Sequence, residues 1–72
     1  MMFKVYQSDT QANAYGIIEV APPSRVYIMR DGLTHQRGDG AFIENNGTFV
    51  HLASTLKDAE SFIKMQVLMD DL

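Results

Sequence analysis

The sequence predicts a two-layer α+β domain: an antiparallel β-meander of about four to five strands with one C-terminal α-helix packed on one face. Three observations carry that reading. Short runs of β-branched and aromatic residues recur through the first three quarters of the chain. Gly, Pro and Asn-Gly signals separate those runs. Residues 55–72 are the only stretch with a clear helical period.

Residues 1–7 alternate, with Phe3 and Val5 on one side and Lys4 and Tyr6 on the other, as a strand requires. Residues 8–14 are small and polar, a connection. Residues 15–21 form a second strand, ended by Pro22 and Pro23, which cannot donate to a ladder. Residues 25–30, Arg-Val-Tyr-Ile-Met-Arg, have the strongest β composition and form a third. Asp31-Gly32 opens a turn, and the run up to Gly40 reads as a loop. Residues 41–44 and 48–52 read as a hairpin around Asn45-Asn46-Gly47. Two registers fit it: a two-residue turn pairs Ile43 with Val50 and Ala41 with Leu52, and a three-residue loop pairs Ile43 with Phe49. The first is preferred because it gathers Ile43, Val50 and Leu52 on one face.

In residues 55–72, Thr55 caps the first turn and Asp58 stands where a capping-box carboxylate would. At 100° per residue, Leu56, Ala59, Phe62, Ile63, Gln66 and Val67 fall in one arc, with Lys57, Glu60, Ser61, Lys64 and Asp71 opposite. From Met65 onward the helix is apolar nearly all round, because Met65, Leu68, Met69 and Leu72 lie away from that arc. This second half therefore reads either as a wider buried contact or frayed end, or as a surface for a protein partner or a second subunit, and its methionines favour the second.

Strand alternation assigns Phe3, Val5, Ile18, Val20, Val26, Ile28, Ile43, Val50 and Leu52 to the face beneath the helix. The other face then carries Tyr6, Tyr15, Tyr27, Arg25, Met29, Phe42 and Phe49, residue types enriched in interface cores. If exposed, that face is the second candidate for partner binding; the alternative is that the 31–40 loop covers it.

With 72 residues the chain reads as one small domain, residues 1–72, at a size where oligomerisation commonly supplements the core. Having no cysteine, it makes no disulfide or thiolate metal site. No apolar run is long enough for a membrane span and residues 1–20 lack a signal-peptide layout, so a cytoplasmic protein without a membrane role is expected. Nine acids against six bases give a formal charge of −3, which disfavours bulk nucleic-acid binding. A nucleic-acid surface would have to rest on Lys4, Arg25, Arg30 and Arg37, with tyrosines for stacking.

Chemistry-bearing motifs are weak. Arg37-Gly38-Asp39 spells an integrin-type tripeptide but reads as a solvated turn. His35 and His51 lack the further ligands of a zinc site, and no metal or other cofactor is expected. Ser8, Ser24, Ser54 and Ser61 have no nucleophile elbow or adjacent base, Gly38-Asp39-Gly40 lacks the lysine of a phosphate loop, and Asp70-Asp71 reads as a solvated pair. No catalytic residue is assigned, and an enzyme is not expected. Strands followed by Ser54-Thr-Leu-Lys-Asp-Ala-Glu-Ser-Phe-Ile63 look like the plan of arm-type DNA-binding domains of phage integrases and of some phage anti-CRISPR proteins. The likeness covers architecture and carries over no functional residue. The expectation is a non-enzymatic interaction protein, a homodimer, in the manner of an accessory or inhibitory protein of a phage or mobile element.

Overall fold

Alternating residues draw β1 (Phe3–Ser8) and β2 (Ala14–Glu19) into an antiparallel pair in the computed structural model, which describes residues 1–70. β3 (Val26–Arg30) and β4 (Leu33–Arg37) extend the meander. They are joined by Asp31 and Gly32 at φ 56° and 78°, the two left-handed positions of a type I′ hairpin turn. α1 (Gly40–Asn46) follows, then β5 (Gly47–Ala53) and α2 (Leu56–Asp70). The strand order is β4-β3-β2-β1-β5, with every neighbouring pair antiparallel. The α+β class with a C-terminal helix on one sheet face is therefore as expected.

That order forces a crossing. β4 and β5 run in the same direction at opposite edges, so the chain must traverse one face of the sheet between them. α1 makes that crossing on the face away from α2. The expected hairpin around Asn45-Asn46-Gly47 does not form, and neither of its two registers exists. Asp39 decides this locally: its Oδ1 accepts from Ala41 N at 3.0 Å and Phe42 N at 3.4 Å, capping a helix that runs to Asn46. Gly47 then sits at φ −141°, so it serves no left-handed turn. It is needed for closeness, since a Cβ there would lie 2.8 Å from the Ile43 carbonyl oxygen. The stretch expected as a loop up to Gly40 likewise contains β4, because the Asp31-Gly32 turn folds it straight back onto β3.

The register also corrects the assignment of faces. Phe3 pairs with Glu19 and Val5 with Ile17, while Tyr15 pairs with Met29 and Ile17 with Tyr27. Odd-numbered residues of β1, β2 and β3 thus share the face under α2, and Ile18, Val26 and Ile28 take the other. A phase error of one residue turns a whole strand over. Ile17, Ile63 and Val5 are the largest fully buried side chains, and Phe3, Tyr15, Met29, Ala53 and Ala59 complete that core. The predicted arc of α2 is the packed one: Ala59 and Ile63 are buried, and Leu56, Phe62 and Val67 pack against the cluster. Thr55 caps the helix, its Oγ1 accepting from Asp58 N at 3.0 Å. The Asp58 carboxylate accepts from Ser54 Oγ at 2.9 Å.

On the opposite face, β2 presents Ala14 and Gly16, both buried. Ile43 of α1 occupies the space over Gly16, where a Cβ would stand 2.5 Å from Ile43 Cγ2. Gly16→Ala should therefore destabilise the fold by about 1–3 kcal/mol. In an Ile43→Ala background the same substitution should cost measurably less in urea denaturation, because the two changes share one space. Equal losses with and without Ile43→Ala would show that the added methyl is resisted elsewhere.

Candidate functional site

The aromatic face expected from the sequence is divided between the two sides of the sheet. Tyr15 and Met29, only 3% and 2% exposed, are core residues beneath α2, and Tyr27 packs against the same core. Neither Tyr15 nor Met29 is available to a partner. Arg25 is exposed in the stretch leading into β3. Tyr6, Phe42 and Phe49 lie on the α1 side, where Tyr6 and Phe49 meet edge-to-face with centroids 5.8 Å apart. The sequence places the right residue types on strands; the β2 and β3 phase decides which remain outside.

The second half of α2 keeps its expected exposure. Met65, Leu68 and Met69 are 59%, 63% and 59% exposed, and Leu72 and Asp71 lie outside the described residues. Two sides of the helix are distinguished by their neighbours. Phe62 stacks flat on His51 of β5, with centroids 4.1 Å apart. Met65 and Met69 follow Phe62 at i+3 and i+7, which places them along the β5 side. Leu68 turns the other way, over a groove of about 510 Å³ beside Asn13 and the Asp31-Gly32 turn.

A further surface feature was not legible as a site. Between α1, the Ser8–Gln11 turn and the β3 and β4 strands lies a cleft of about 440 Å³. Ala14, Gly16 and Ile28 form its floor, Tyr6 and Phe42 contribute rings, Arg30 and Arg37 contribute positive charges, and Asp39 is the one acid in its lining. The small residues of β2 were the available signal, since Ala14-x-Gly16 on one strand face leaves a depression in any sheet. The rim is built by short contacts: Asp9 N donates to the Asn46 carbonyl at 2.9 Å and Thr48 Oγ1 to Asp9 Oδ1 at 2.6 Å. Ser8 Oγ accepts from Gln11 N at 3.0 Å.

Of the four basic residues proposed for nucleic acid, the cleft brings together Arg30 and Arg37. Lys4 lies on the other side of α1, near Glu44. Arg37-Gly38-Asp39 is the approach to α1, with the Asp39 carboxylate held by helix amides. His35 stands on the β4 edge and His51 on the β5 edge, so the two do not meet. Among the described residues no three side chains capable of holding a metal converge. Ser8 and Ser54 hydroxyls are engaged in a turn and beside a helix cap. No helix among the described residues is long and apolar enough to cross a membrane. Comparison with protein-family models, with curated proteins and with solved structures returns no match for this chain.

Two titratable groups sit beneath or beside α2. Glu19 is 2% exposed, and its Oε1 has no hydrogen-bond partner. Because an unsatisfied buried oxygen costs free energy, replacing the carboxylate by an apolar side chain of similar shape, Glu19→Met, should raise stability by about 1–3 kcal/mol. A lower midpoint in urea would mean that the carboxylate has a stabilising role in the core. The Tyr15 phenol is pushed above its ordinary 10.0 by burial first and by the negative charge of Asp70 second. As pH rises past about 10, the unfolded chain loses this proton before the native chain does, so stability falls from there upward. Tyr15→Phe should flatten that alkaline loss, read from urea midpoints between about pH 9 and about pH 11.

Proposed function

We propose that this chain is a non-enzymatic protein-binding module whose first partner is a second copy of itself. The observation that carries the reading is the row of Met65 and Met69 along α2, more than half exposed, on the side that overlooks the β5 edge. The opposite arc of the helix is already engaged with the sheet, so this row has no role in the core. Flexible methionine side chains adapt to contact surfaces.

β5 supports the choice of partner. It is an outer strand, paired only with β1, and its sequence Gly-Thr-Phe-Val-His-Leu-Ala contains no Lys, Glu, Asp or Pro. Those are the residues that normally guard an edge against pairing. Phe49 and Leu52, exposed by 51% and 46%, flank it. Antiparallel pairing of β5 with its copy would continue the sheet across a two-fold axis and set the two methionine rows side by side. Such an interface is self-complementary, as a two-fold dimer requires. A stable interface buries about 800 Å² per partner, more than two methionines supply, and the strand edge with Phe49 and Leu52 adds to them.

Light scattering at tens of micromolar should report a dimer. Met65→Glu should return it to a monomer with an unchanged circular-dichroism spectrum, since Met65 lies outside the core. A wild-type monomer at that concentration, or a Met65→Glu dimer, would overturn the reading. Loss of the folded spectrum would overturn it too, by placing Met65 in the core.

A further inference from the structure

The cleft on the α1 face lies outside both the core and the proposed dimer contact. We infer that it binds a small anionic ligand bearing a phosphate and a flat ring, of the mononucleotide class. Its volume, about 440 Å³, falls within the 300–1,000 Å³ or so typical of small-ligand sites. Its depth is built into the fold, because β2 offers the small residues Ala14 and Gly16 at this end of the face and α1 is anchored to one side of them by Ile43.

Charge selects an anion. A chain with net charge −3 and six basic residues places two of them, Arg30 and Arg37, on one concavity. The single acid in the lining, Asp39, already accepts two helix amides through Oδ1. Guanidinium groups match phosphate oxygens in shape and charge and give the directional, charge-assisted bonds that a phosphate site needs. The rings of Tyr6 and Phe42 supply the surface on which a flat heterocycle stacks.

The surroundings select a small ligand over a nucleic-acid strand. The Ser8–Gln11 turn, tied to β5 through Asp9 and Thr48, bounds the cleft. Lys4 lies on the far side of α1, so the two arginines are not continued by a basic track that a phosphodiester backbone would follow.

The test is a titration of the isotopically labelled chain with AMP, GMP, CMP and UMP, followed by amide chemical shifts, with inorganic phosphate and a single-stranded oligonucleotide as separate arms. At least one mononucleotide should saturate a set of shifts centred on Gly16, Ile28 and Phe42. Inorganic phosphate should bind the same site about tenfold or more weakly, for want of the ring contact. Arg30→Ala with Arg37→Ala should weaken the mononucleotide at least about tenfold. Both arginines are exposed, so the fold should persist, as circular dichroism will show. Phe42→Ala, also at an exposed position, should weaken the mononucleotide and leave phosphate unchanged. The inference fails if no mononucleotide shifts these amides at millimolar concentration, or if the double arginine variant binds as the wild type does. It also fails if the oligonucleotide binds far more tightly than any mononucleotide, which would make this face a nucleic-acid track.

Discussion

Everything in this fold depends on how two helices of unequal length cover one five-stranded sheet. Ile63 descends on the Val5 and Ile17 side of that sheet, and these three side chains are fully buried. Burial of each is worth about 1.5–3 kcal/mol, so this contact accounts for much of what holds α2 in place. The fifteen residues of α2 serve one face. The seven residues of α1 serve the other and cannot cover it. The exposed rings, the cleft and the two arginines all follow from that inequality.

The crossing that places α1 is itself a consequence of strand order. Once β5 joins the free side of β1, its direction matches that of β4, and the intervening residues must pass over a face. Asp39 turns that passage into a helix, and Gly47, crowded by the Ile43 carbonyl and by Tyr6 and Gln7 of β1, lets the chain run straight from that helix into β5. The same Gly16 that admits Ile43 also leaves the hollow beside it. The docking of α1 and the hollow proposed as a ligand site thus both trace to neighbouring small residues on one strand face.

Much of the architecture was legible in the residues. The capped start of α2, its packed arc, the first three strands and the α+β class follow from periodicity and turn chemistry. What misled was the relative strength of two hairpin signals. Asp31-Gly32 and Asn46-Gly47 both suit a type I′ turn, yet only the first adopts the two positive φ values. The second is overruled by an N-cap seven residues upstream and by a topology that needs a crossing. The strand phase was lost for a related reason. β2 reads Ala-Tyr-Gly-Ile-Ile-Glu, with small and large residues alternating at one end and apolar residues on both faces near the other, so alternation alone does not choose the inner side. Because Tyr15 and Met29 went inward, the aromatic surface shrank to Tyr6, Phe42 and Phe49. The cleft draws residues from six elements at once, and no local pattern announces it.

The position of β1 has a kinetic consequence. It is the first strand in the chain, yet its ladder with β5 joins residues about forty to fifty positions apart. Loop-closure entropy makes such a pairing late, so the β1–β4 meander assembles from local hairpins while one side of β1 waits open. The bulge that leaves Val50 without a Cα partner lies in that late ladder, and α2 cannot reach its place until β5 is seated. Closure of β5 and docking of α2 are thereby joined into one cooperative step. Contact order therefore makes the encounter of the first strand with the last the slow step expected of this topology.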